Sequence, residues 1–115
     1  MFSQRNIDEE SVLIDVGELL DNNNAHEMTE VIGAVQEAGK KYIILDMSDL
    51  RFISSAGVGS ILGAVGNSRG MGGDIILCSL SEKILHILEI LDLCDYLTIT
   101  SDEHTATELC AVEGE

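Results

Sequence analysis

The sequence predicts a single α/β domain with a largely parallel sheet and crossover helices, and three observations predict it. Short apolar runs alternate with segments of about ten to fifteen residues whose apolar positions recur at helical spacing. Two of those runs, Tyr42-Ile43-Ile44-Leu45 and Ile75-Ile76-Leu77-Cys78, are almost wholly apolar, as strands covered on both faces are. At 115 residues the chain has the length of one domain with one shared core.

The elements follow in order. A first extended run is expected over Phe2 to Ile7 and a second over Val12-Leu13-Ile14-Asp15-Val16. After Leu19-Leu20 the polar break Asp21-Asn22-Asn23-Asn24 ends in a helix start, because Asn24 and Glu27 have capping-box spacing. Ala25, Met28, Ile32 and Val35 recur at helical intervals, and Gly39 marks the stop. The strand at Tyr42 comes next, and then a helix from about Ser55 to Arg69, closed by Gly70-Met71-Gly72-Gly73. Beyond the strand at Ile75, Ser81 is placed to cap a helix with Ile84, Leu85, Leu88 and Leu91 on one face. Tyr96-Leu97-Thr98-Ile99-Thr100 alternates like a half-exposed strand. A last helix begins near Ser101 and carries Ala106 and Leu109 inward.

Charge narrows the function. Twenty-one acids oppose six bases, for a net charge of −15. A polyanion is repelled by such a field, and Lys40-Lys41 is the sole adjacent cation pair, so nucleic acid and anionic membrane are disfavoured as partners. The acids either keep the surface soluble or form a face that meets a basic protein partner. Cys78, Cys94 and Cys110 lie 16 apart with no Cys-x-x-Cys pair, which suggests reduced thiols. His26, His86 and His104 are equally scattered, so neither a metal nor a cofactor is expected. The apolar runs fall well short of the ~20 residues that cross a bilayer. The opening residues resemble neither a secretory signal nor a transit peptide, and the expected location is cytoplasmic.

One stretch, Leu45 to Leu62, departs from ordinary core-and-surface patterning. A buried strand ends at Asp46, a short loop crosses to Ser54-Ser55, and a helix opens with small residues. In open α/β sheets, ligand and partner sites gather outside the carboxyl ends of strands. A helix N-terminus there offers free N–H groups and about half a positive charge, which would receive a phosphate on serine. Ser54 or Ser55 could equally serve as a simple N-cap. Gly57, Gly59, Gly63 and Gly66 inside a helix each cost roughly 1 kcal/mol relative to alanine. Close packing on the sheet would offset that cost, and so would a partner pressed against the helix.

The run Asp46-x-Ser48-x-Leu50-x-Phe52-Ile53-Ser54-Ser55-Ala56-Gly57-x-Gly59-x-Ile61-Leu62 resembles the signature of STAS domains, in the form carried by bacterial anti-sigma factor antagonists. Similarity extends over most of the chain, including Glu10-Ser11-Val12-Leu13, Gly17-Glu18-Leu19, Gly72-Gly73 and the Ile84-to-Leu93 helix. The resemblance implies one STAS domain over residues 1–115, with a mixed four- or five-stranded sheet and about four helices. It implies a non-enzymatic protein that binds an anti-sigma factor doubling as a serine kinase and so frees a sigma factor. The family acceptor aligns with Ser55, with Ser54 the alternative, and a metal-dependent serine phosphatase would reverse the modification. The partner face would comprise Asp46, Ser48, Phe52, Ser54, Ser55, Ala56, Gly57 and Gly59. Two positions depart from the pattern: Ser54 stands where the family commonly has aspartate, and Ala56 where it has serine or threonine. An unphosphorylated STAS scaffold is the alternative reading.

Other classes fit less well. A phosphoacceptor receiver domain could use Asp46, but Asp15-Val16-Gly17-Glu18 gives no adjacent acid pair for magnesium and Lys83 falls within a helix start. A serine hydrolase wants Gly-x-Ser-x-Gly, and Ile53-Ser54-Ser55-Ala56-Gly57 lacks the first glycine. No P-loop is present.

Overall fold

A computed structural model describes residues 2–113. β1 (Ser3–Asp8) and β2 (Ser11–Asp15) form an antiparallel hairpin, with a register shift between Asn6 and Asp8. The remaining pairings of the large sheet are parallel: β2 with β4 (Tyr42–Asp46), β4 with β6 (Asp74–Cys78) and β6 with β7 (Thr98–Thr100). The five-stranded sheet is therefore mixed, in the order β1-β2-β4-β6-β7. Two short strands pair in parallel as a separate ribbon: β3 (Leu19–Leu20), to which the sequence assigns no element, and β5 (Phe52–Ile53), which lies in the segment expected to be a loop.

Strand alternation loads both faces of the sheet. Val12, Ile14, Ile43, Leu45, Ile75 and Leu77 belong to one core with residues of α1 (Ala25–Glu37), α2 (Ser55–Gly70) and α3 (Glu82–Ile90). Leu13, Ile44, Ile76 and Cys78 form the other with Ala106 and Cys110 of α4 (Glu103–Glu113). Ile44 is 0% exposed and Ile76 1%, so the near-continuous apolar runs do mark strands covered on both faces. The three cysteines are free thiols, and burial pushes that of Cys78 up to about 11.

Several expectations need correction. Asn24 occupies the N-cap of α1 but forms no capping box: its Oδ1 accepts from the Asp21 N–H and its Nδ2 donates to the Leu19 carbonyl, both at 2.9 Å. Its side chain braces the preceding turn rather than the helix. Helix α3 ends at Ile90, so Leu91 lies past the last turn and is 49% exposed. Leu109 is 37% exposed while Ala106 is fully buried, because α4 turns the smaller residue to the sheet. β7 begins only at Thr98, with Tyr96 exposed beneath the Arg69 guanidinium, 4.8 Å from its ring. Ser81 caps α3 as expected, accepting from the Ile84 N–H at 3.2 Å.

Candidate functional site

The start of α2 is fixed by four contacts around two residues. Ser54 is the N-cap, in extended conformation, and its Oγ accepts from the Gly57 N–H at 3.1 Å. The same hydroxyl donates to Asn22 Oδ1 at 3.2 Å. The Ser54 N–H donates to the Leu20 carbonyl at 3.0 Å. Gly57 packs against that carbonyl so closely that an added Cβ would lie 2.4 Å from the Leu20 oxygen. The β3 ribbon and its turn are thus clamped to the first turn of α2, and only glycine fits at the clamp.

Ser55 follows the cap and is built differently. It is exposed, and its hydroxyl makes no hydrogen bond among the described residues. Ala56 and Gly59 are exposed beside it, while Val58 and Ile61 turn into the core. Ser55 and Gly59, four apart, share one helix face. An added Cβ at Gly59, Gly63 or Gly66 would meet nothing within 4 Å. Packing within the domain therefore accounts for Gly57 and not for the other three.

Next to this face lies an apolar pair. Leu19 and Phe52 are register partners in the β3–β5 ribbon, 50% and 46% exposed, while their neighbours Leu20 and Ile53 are buried. Sequence reasoning found Phe52 and missed Leu19 and Asn22. A two-residue strand shows no alternation, and Asn22 matters only through its tertiary contact with Ser54.

Phe52, Ser54, Ser55, Ala56, Gly57 and Gly59 thus converge at one helix start, although Gly57 faces inward as a spacer. Asp46 and Ser48 do not join them. Alternation along β4 puts Asp46 on the α4 side with Ile44, and its Oδ1 accepts from the Ser48 N–H at 3.0 Å. Ser48 instead lines a cleft with Glu18, Arg51 and Lys83, and Glu18 and Arg51 are the chain neighbours of Leu19 and Phe52. Among the described residues no His, Cys, Asp or Glu group is placed to hold a metal, and no helix is long and apolar enough to cross a membrane.

Comparison with known proteins agrees with this fold. The family model for the STAS domain matches residues 4–106. The chain is 27% identical over 81 residues to BtrV of Bordetella bronchiseptica, covering 70% of this chain and 67% of that one. It is 30% identical over 77 residues to the anti-sigma F factor antagonist of Paenibacillus polymyxa, 66% of each chain. The fold matches the anti-sigma factor antagonist SpoIIAA in its unphosphorylated form, with a TM-score of 0.76 at 21% identity over the whole of both chains. It also matches the phosphorylated form of SpoIIAA from Bacillus, with a TM-score of 0.74 at 22% identity over 95% of this chain and 99% of that one.

Proposed function

The chain belongs to the STAS domain family, and from that membership we propose that it is an anti-sigma factor antagonist switched off by phosphorylation of Ser55. In the active form the face at the start of α2, with Leu19 and Phe52 as its apolar anchors, binds an anti-sigma factor that is also a serine kinase. Binding frees a sigma factor. A metal-dependent serine phosphatase restores the active form, and the cycle runs in the cytoplasm. The chain contributes no catalysis or cofactor of its own.

One observation carries this reading. The first turns of α1, α3 and α4 hold Glu27, Glu82 and Glu103, whereas the first turn of α2 holds no acid, in a chain with 21 of them. An acid-free helix N-terminus leaves its dipole and amides available to an added anion. Exposed Ser55 is the first residue of that turn. Ser54 is the poorer acceptor, because its hydroxyl already caps Gly57 and bonds Asn22. Serine at this position also does the capping that the family's aspartate would do, without adding a fixed negative charge.

Phosphorylation adds about −1.5 to −2 charge and three acceptor oxygens. The helix start can accept that charge, but an apolar interface pressed onto Ala56, Gly59 and Phe52 cannot. An unpaired charge buried there costs roughly 2–5 kcal/mol, and each 1.4 kcal/mol is tenfold in affinity. Titration calorimetry against the anti-sigma factor kinase of the source organism tests the reading. Ser55→Ala should bind like the unmodified chain, and Ser55→Asp should fold normally but bind at least about tenfold more weakly. Equal affinity for Ser55→Asp and the unmodified chain would leave the unphosphorylated scaffold as the better reading.

A further inference from the structure

Helix α2 carries a line of glycines that packing within the domain does not explain. Gly59, Gly63, Gly66 and Gly70 follow one another at spacings of four, three and four, which puts them on one helix face. Ser55 begins the same line. All four glycines are exposed, and an added Cβ at any of them would meet nothing within 4 Å. Each weakens the helix relative to alanine without relieving a contact. Helix α1 offers Gly33, where a Cβ would likewise meet nothing.

Between the two helices lies a groove of about 320 Å³, with Gly33, Gly59 and Gly63 as its walls and the buried residues Gln36, Ser60 and Ala64 as its floor. Gln36 presents a free acceptor there. The side chain is only 9% exposed. Both protons of its Nε2 are engaged, by the Ala64 carbonyl at 3.1 Å and by Ser68 Oγ at 3.0 Å. Its Oε1 has no donor among the described residues. Every sealed side-chain oxygen or nitrogen among them does have a partner, so Oε1 is open, and it opens on the groove that Gln36 lines.

Shape and charge select the occupant. A groove without side chains is filled by a ridge of large ones. A second copy of this chain brings another glycine line and another −15, so it leaves the space empty and is repelled. No charged residue lines the groove, while exposed Glu30 and Glu37 each follow a lining or floor residue of α1. An amphipathic helix with large apolar residues at i, i+4 and i+7 and cations alongside matches both features. We infer that the α1–α2 groove seats such a helix of the anti-sigma factor, with a donor from that helix on Gln36 Oε1. The inference rests on the reading of the Ser55 face as the contact for that partner, and it extends the contact along α2. Gly63 lies eight residues past Ser55, about 12 Å along the axis, so the groove and the phosphorylation site are separable.

Titration calorimetry of the full chain against the anti-sigma factor kinase of the source organism separates them. Gly63→Leu and Gly33→Leu each put a side chain into open groove. Both should keep or raise the melting temperature and weaken binding by about tenfold or more. Ala34→Leu, exposed on α1 and outside the groove, should bind like the unmodified chain. In ¹⁵N spectra of the labelled chain, the Gln36 side-chain amide should move when the kinase is added. Unchanged affinity in both glycine variants, with Ser55→Asp still weakened, would overturn the groove and leave the functional reading standing. An unmoved Gln36 amide in the complex would also overturn it. Concentration-dependent shifts at Gly59 and Gly63 without the kinase would assign the groove to a second copy instead. A kinase that does not bind the unmodified chain would overturn both readings together.

Discussion

Gly57 and Gly59 stand two positions apart in α2 and face opposite ways, so the same substitution should have opposite effects. Gly57→Ala drives a methyl group into the Leu20 carbonyl and should cost about 1–3 kcal/mol, as overpacking against backbone does. Gly59→Ala meets nothing within 4 Å and should stabilise the domain by about 0.5–1 kcal/mol, the usual gain at an exposed helical glycine. Denaturant melts separate the two. If Gly59 is kept small for a partner, Gly59→Ala should weaken partner binding despite the stabler fold. Undiminished binding would remove Gly59 from the partner face. The cap is a third residue-scale case: Ser54→Ala loses the bonds to Gly57 and Asn22 and should cost about 1 kcal/mol in the same melts.

Strands with long apolar runs and helices with clear periodicity were legible in the sequence, because burial on a defined face leaves a repeating pattern. Tyr42–Asp46 and Asp74–Cys78 emerge as the central strands. Ile44→Ala or Ile76→Ala should cost about 2–5 kcal/mol in denaturant melts, and a loss below about half a kcal/mol would contradict their burial on both faces. The β3–β5 ribbon was not legible, since two residues cannot display a period and its pairing joins segments more than thirty residues apart. The ends of α3 and β7 were misplaced for a related reason. Leu91 is an apolar residue whose helical spacing assigns it to the inner face of α3 but which tertiary packing leaves outside, and Tyr96 continues the alternation of β7 in sequence but lies exposed before the strand begins. At the candidate site, the Ser54-to-Gly59 motif was readable, but the division of labour between the two serines was not. That division depends on Asn22, which the fold brings from a turn thirty-two residues away.

Across the whole molecule, charge decides which partners can approach. A net −15, with three of the six cations in ion pairs among the described residues, should prevent binding to duplex DNA, and salt-sensitive retardation in a gel shift at moderate ionic strength would contradict that. The same field makes an added phosphate unfavourable everywhere except where the fold has withheld acids, at the start of α2. Phosphopeptide mapping with intact mass, after incubation with the cognate anti-sigma factor kinase and ATP, therefore tests the account most directly. A single phosphate on Ser55, absent in Ser55→Ala and retained in Ser54→Ala, is the predicted result. Phosphate on Ser54, or none on either serine while the complex still forms, would contradict it.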